Sequence, residues 1–366
     1  MAPGRVGQAD RVTEALDALR TVMPALAFLL AGVPLASLLD DLGFFDAVAA
    51  RLQARWPELP VVALWALAAV TTIVLNLDTT IVLLTPLYLR LARRSGVDPL
   101  PVALVSLLLA SFASSVLPIS NLTTLIAVDH LDLSVGDVVG HLALPSLVAT
   151  VVGWFAYARR HPTRLPAPVG AHGTSGVARS SRHALRTGGA VVSFLLVAFT
   201  FGPPVGVQPW MAASVADLFL AAVVRRFPWR SLPVATAAAI GALAMTVAVA
   251  VPSSFGDPIR SASRPVPLLA VVLVASGAAS LVNNIPATLA LVEGTTSATP
   301  GVWAWLVGVN VGSLLLPTGA LATLLWHRIL RRAQLEVGLR VHLREVLPLV
   351  VVPLAAAALA AAVTLS

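Results

Sequence analysis

The chain of 366 residues has no cysteine and no lysine, and only 11% of its side chains are charged. Without cysteine there is no disulfide, no thiolate metal site and no thiol nucleophile. With so few charges, a chain that is 58% hydrophobic, at a mean hydropathy of +0.89, cannot place most of its side chains in water. All 24 basic residues are arginine and the formal charge is +7, a balance that elsewhere suggests nucleic acid. Here the arginines fall in short clusters between apolar runs, which is the pattern membrane topology produces, so nucleic acid is not an expected partner. No Walker A loop, HExxH motif or nucleophile elbow occurs, which excludes the local signatures of ATP hydrolysis and intramembrane proteolysis. An enzyme is not expected. The start, "MAPGRVGQADRVTEALDALR", lacks the apolar core and cleavage site of a signal peptide, so the first apolar run is expected to be an anchor.

What is present is long continuous apolar sequence, which implies an all-α polytopic membrane protein rather than a barrel. Simple spans are expected near 21–39, 141–158, 190–204, 209–224, 232–251 and 345–364. Four runs are interrupted. Residues 61–91 carry "NLDTT"; at 1.5 Å per residue they would make a helix of about 46 Å, too long for one span and short for two, so a re-entrant hairpin fits. Residues 100–126 contain "LPISNLTTLI", in which Pro118 should break the helix. Residues 266–292 carry "NNIP" and 301–326 carry "LPTGALATLL", so hairpin and broken helix recur in the same order.

Arginine placement gives a topology. If both hairpins return to their side of entry, the arginines at 51/55, 90–94, 159–186, 225–230 and 328–344 share one side, which makes nineteen of the 24. The positive-inside rule makes that side cytoplasmic, in a plasma membrane, with both termini outside. A first repeat (21–158) after a polar tail (1–20) then has inverted topology relative to a second (231–366). Between them lie a flexible cytoplasmic linker (159–189), rich in Pro, Gly, Ser and Arg, and a connecting helix pair (190–230).

Inverted repeats with interrupted helices place half-helix ends and freed backbone groups near the midplane, where a substrate or coupling ion is held. The candidate site residues are therefore those at the breaks. Asp78 costs roughly 2.5–3.5 kcal/mol at a bilayer centre, so it needs a partner, water or a cation. Asn76, Thr79 and Thr80 flank it with neutral oxygens. Ser120, Asn121 and Thr123 stand at the first broken helix, Asn283 and Asn284 at the second hairpin, and Asn310, Thr318 and Gly319 at the second broken helix. The competing reading is that these groups cap half-helices or join neighbouring helices. Asp217 lies outside both repeats, and structural pairing is expected for it. His130 and His141 read as solvated loop residues.

The stretches "LLDDLGFFDAVA" (38–49), "LDTTIVLLTP" (77–86), "SNL" (120–122), "NNIP" (283–286) and "LPTGALATLLW" (316–326) resemble the ion transporter superfamily, and within it the arsenical pump membrane proteins, which are arsenite and antimonite efflux permeases. The resemblance covers most of the chain from about residue 20 onward. It implies a secondary carrier whose two hairpins and two broken helices form the transport domain, with no cofactor and with H+ or Na+ as the coupling ion. It also implies Asp and Lys on the second broken helix, where this chain has Asn310 and Leu314. The expected partners are the lipid bilayer and a small inorganic or anionic substrate. A homodimer is left open, and a partner ATPase rests on the resemblance alone. Three functions follow as alternatives: proton-coupled efflux of arsenite or antimonite, an organic-anion carrier or ion antiporter, and a non-transporting scaffold or sensor.

Overall fold

In hydrocarbon every backbone N–H and C=O must be satisfied within its own segment, and these apolar runs do so as helices. A computed structural model describes residues 8–168, 177–292 and 295–366; the first seven residues of the polar tail and the middle of the linker lie outside it. In chain order the helices are α1 (Gln8–Asp41), α2 (Phe44–Arg55), α3 (Val61–Val74), α4 (Leu77–Arg94), α5 (Pro99–Phe112), α6 (Leu122–Leu131), α7 (Val135–Arg160) and α8 (Val177–Phe201). They continue as α9 (Pro209–Val224), α10 (Val234–Ala250), α11 (Asp257–Arg260), α12 (Pro265–Val282), α13 (Asn284–Val292), α14 (Pro300–Val311), α15 (Leu321–Arg332) and α16 (Leu339–Leu365). The chain is an all-α polytopic membrane protein, and six of the described helices are long and apolar enough to cross a bilayer. The one β structure among the described residues is a two-residue clasp, Leu59–Pro60 (β1) antiparallel to Arg164–Leu165 (β2).

Two boundaries differ from expectation, and one span keeps its expected bounds but is short. α1 begins inside the segment read as a polar tail, because that segment is rich in Ala, Leu and Arg, all good helix formers, and an Asp17–Arg20 pair at 2.9 Å lies along it. α8 begins at Val177, inside the segment read as flexible linker. α9 has 16 residues, about 24 Å at 1.5 Å each, which is short for a span.

The first interrupted run folds back on itself. Thr72 Oγ1 and Thr80 Oγ1 meet at 2.9 Å near the tip, and the Tyr88 hydroxyl donates to the Leu64 carbonyl at 2.5 Å near the open end. That is an antiparallel α3–α4 hairpin. The second, α12–α13, closes in the same manner: Arg260, just before it, donates to Thr295 Oγ1, just after it, at 3.1 Å.

The two hairpins open toward opposite ends of the bundle. At one end Arg90 pairs with Asp40, Arg226 and Arg332 with Asp41, and Arg160 with Glu345. At the other end Gly301 at the start of α14 lies against the Ile259 carbonyl, and His141, near the start of α7, stacks on Trp303 at 4.5 Å. His141 is therefore held in a helix by a ring contact and by the Asp137 carbonyl at 2.7 Å, whereas a solvated loop was expected; its helix position comes from the Ser134–Asp137 capping box that starts α7. His130 is exposed.

Packing repeats between the halves. α1 lies against α4 and α10 against α13; α3 against α5 and α12 against α14; α5 against α7 and α14 against α16. Across the halves α4 meets α15 while α6 meets α13, and α1 meets α10, α5 meets α14 and α7 meets α16. α5 and α14 are buried nearly all round and form the centre. α8, α9 and the outer face of α12 expose Phe194, Phe219 and Leu281, the surface that lipid covers.

Candidate functional site

Pro118 cannot donate a backbone hydrogen bond, and the chain around it leaves α5, passes through a 3-10 turn at Pro118–Ser120 and restarts at Asn121, the N-cap of α6. The second break is built alike, with a 3-10 turn at Gly312–Leu315 and a restart at Ala320. The two breaks touch. Asn121 Nδ2 donates to Ser114 Oγ and to Asn310 Oδ1, each at 3.0 Å, and Asn121 Oδ1 accepts from the Thr123 backbone N–H at 3.1 Å. Thr123 Oγ1 also contacts Asn310 Oδ1. Asn310 Nδ2 reaches Ser115 Oγ at 2.9 Å and Thr124 Oγ1 at 3.1 Å. Every one of these side chains is buried, so four polar residues of the first half close around one amide of the second, with Ser114 behind Asn121.

Each hairpin tip is tied to the break of its own half. Ser120 Oγ donates to the Ile73 carbonyl at 2.8 Å. In the second half Asn283 Nδ2 donates to the Thr318 carbonyl at 2.9 Å, the Asn284 N–H donates to the Gly319 carbonyl at 2.8 Å, and Thr318 Oγ1 donates to the Ser280 carbonyl at 3.1 Å. Asn283 holds this position at φ +75°, a backbone region that costs a non-glycine residue on the order of 1–3 kcal/mol and persists only where neighbours enforce it.

Gly319 is where backbone meets backbone. A Cβ there would stand 2.0 Å from the Ser313 carbonyl oxygen and 3.1 Å from Ser280 Cα. Gly319→Ala is accordingly expected to destabilise the protein by about 1–3 kcal/mol, the usual range for overpacking, with a lower thermal midpoint in detergent as the readout.

The remaining candidates stand beside this network. Asn76 Oδ1 caps α4 by accepting from the Thr79 N–H at 2.7 Å, and Thr80 Oγ1 donates to the Asn76 carbonyl at 3.1 Å. The side chains of Asp78 and Thr79, beside them on α4, join none of these bonds: Asp78 Oδ1 and Thr79 Oγ1 are enclosed and have no partner among the described residues. Asn284 Oδ1 is left in the same state. The groups that reading the breaks alone overlooked are Thr72, Ser280 and Thr323. The last of these, also unpartnered, matches Thr124 in the paired strings, and that coincidence was the available signal.

Asp217 departs from expectation. It is 4% exposed on α9, and its Oδ1 has no partner among the described residues, so no pairing explains it. A cavity of about 460 Å³ at the arginine-rich end is lined by Pro317, Leu324, His327 and Glu336, and so reaches the residue before Thr318, which is exposed.

Interrupted helices that meet inside an apolar bundle, with unspent amide, hydroxyl and carboxylate oxygens at their tips, define a polytopic membrane transporter. The chain belongs to the citrate transporter family, which it matches over residues 12–311. It is 26% identical to the arsenical pump membrane protein of Escherichia coli strain K12 over an alignment of 400 positions, covering 94% of this chain and 88% of the relative. It is 27% identical to the putative arsenical pump membrane protein of Bacillus subtilis strain 168, covering 85% of this chain and 80% of the relative. These are transporters rather than enzymes.

Proposed function

We propose that the protein is a secondary carrier of a small neutral metalloid hydroxide, with arsenite leaving the cell in exchange for protons. The observation that carries this reading is the chemistry of the break region. It offers Asn, Ser and Thr groups and one carboxylate, Asp78, with no arginine among the residues that join the two breaks. A trihydroxy species presents hydroxyl donors and acceptors that such groups match without a counter-charge. With no cysteine in the chain, arsenic would be held through oxygen and nitrogen partners rather than as a thiolate. Asp78 serves as the proton or cation site, and Asn284, Thr79 and Thr323 supply the unspent oxygens around the substrate.

The recurrence of packing pairs, with hairpins opening to opposite ends, supports two inverted repeats that rock or slide to expose the site alternately. The arginine-rich end is then cytoplasmic, with both termini outside. One observation favours a second reading, an organic-anion carrier: α4, α6, α13 and α15 all begin at the breaks, and helix N-termini hold anions without basic side chains.

Counterflow in proteoliposomes separates the readings. Labelled arsenite is expected to accumulate against internal arsenite, faster with an imposed pH gradient, and citrate in excess should not compete. Counterflow of labelled citrate, with none of labelled arsenite, would replace the first reading by the second. Counterflow of neither would leave the scaffold reading.

A further inference from the structure

At the arginine-rich end, between α1, α4 and α15, lies a cavity of about 410 Å³ whose wall includes Ser37, Arg90, Arg93, Arg328, Arg331 and Arg332. Acids neutralise part of this charge: Arg90 pairs with Asp40 at 2.8 Å and Asp46 at 3.5 Å, and Arg332 with Asp41 at 2.9 Å. Three guanidinium groups are not neutralised. Arg93 donates to the Ala333 carbonyl, and Arg328 donates to the Ser231 carbonyl at 3.1 Å and to Thr236 Oγ1 at 3.4 Å. Arg331 has no hydrogen-bond or ionic partner among the described residues. Within the same wall Ser37 is 1% exposed, and its Oγ has no partner among the described residues.

A surplus of guanidinium groups facing a concave, partly apolar wall, with a buried hydroxyl left unsatisfied beside them, is the donor set of a tetrahedral oxyanion site. We propose that this cavity binds a phosphate group, from a free inorganic anion or from the headgroup of an anionic lipid. A ligand there would join α1 to the ends of α4 and α15, the second arm of one hairpin and the second half of the opposite broken helix. It would therefore favour the arrangement of these helices seen here. The inference stands on the cavity alone and is independent of which substrate crosses the membrane.

The test uses the purified full chain. In a neutral maltoside detergent, sodium phosphate is titrated against sodium chloride at constant ionic strength, and thermal unfolding is followed by intrinsic fluorescence. In parallel, nanodiscs of phosphatidylcholine with and without phosphatidylglycerol are compared, with retained lipid read by native mass spectrometry. Binding by a free anion raises the unfolding midpoint with phosphate; binding by a headgroup gives retained phosphatidylglycerol and a higher midpoint in the anionic discs. In either arm Arg331→Gln, at an exposed and unpartnered position that folding does not require, should weaken the effect about tenfold, the loss of one charge-assisted contact. Arg331→Lys should restore most of it, and Arg93→Gln combined with Arg331→Gln should remove it. No response to either ligand, or an equal response in wild type and the double variant, overturns the proposal.

Discussion

Asp78→Asn is expected to lower arsenite counterflow at least about tenfold, a loss of 1.4 kcal/mol or more in the rate-limiting step, while the protein stays folded. The two halves of this expectation have separate causes. Asn is isosteric with Asp, and Asp78 Oδ1 makes no hydrogen bond among the described residues, so no internal contact is broken by the exchange. An ionised carboxylate inside the bilayer costs roughly 2.5–3.5 kcal/mol, of which the α4 N-terminus returns only about 0.3–1 kcal/mol, so the variant should unfold at the same or a higher temperature than wild type. An amide, however, cannot take up and release a proton or balance a cation. The signature is thus stability kept or gained with transport lost, together with loss of the pH-gradient stimulation seen in wild type. Thr79→Val, which removes a neighbouring unpartnered hydroxyl, should leave stability equally intact. A D78N protein with wild-type counterflow and an unaltered response to the gradient would remove Asp78 from the mechanism.

The helix breaks are legible in the sequence because their causes are local. Pro118 lacks a donor, "NLDTT" and "NNIP" put capping residues inside apolar runs, and run lengths fall between one span and two. The start of α1 and of α8 is less legible for a related reason. Polar sequence with good helix propensity reads as tail or linker until a membrane helix is present to extend it, since propagation of a helix is far easier than nucleation. What the polar groups at the breaks do was not legible. Asn121 and Asn310 lie 189 residues apart, and only tertiary packing decides that the two amides satisfy each other. Asp78, Thr79, Asn284 and Thr323, by contrast, end with oxygens that nothing described satisfies. The candidates therefore divide into residues that weld the breaks and residues left free to bind. Ser120, Asn121, Thr123, Asn283, Asn310, Thr318 and Gly319 fall largely in the first group, which is the helix-joining role that competed with the binding role from the outset. Asp217 shows the converse: position outside the repeats suggested a paired acid, yet packing against α1 and α8 leaves it alone.

Asn310→Leu is expected to destabilise the protein by about 2 kcal/mol or more, the largest stability effect of any single substitution at the breaks. Asn310 accepts from Asn121 and Thr123 and donates to Ser115 and Thr124, so a leucine withdraws four contacts in one step. Two partners keep a second bond: Asn121 still reaches Ser114 Oγ, and Thr123 Oγ1 still reaches Asn121 Oδ1 at 2.9 Å. The hydroxyls of Ser115 and Thr124 have no such alternative among the described residues, and each buried orphan costs about 1–3 kcal/mol. Asn310→Asp should be much milder. One carboxylate oxygen can replace Oδ1 as acceptor, and the Ser115 and Thr124 hydroxyls can rotate from accepting to donating toward the other. Aspartate is also the residue that resemblance to the arsenical pump proteins implies at this position, which fits a pocket whose hydroxyls serve either partner. The measurement is the thermal midpoint of both variants in the same detergent, alongside Asn121→Leu. A double substitution at 121 and 310 should cost less than the sum of the singles, because each single already breaks their shared bond. Equal midpoints for wild type and Asn310→Leu, or strict additivity in the pair, would mean that the two broken helices are held together elsewhere than at their breaks.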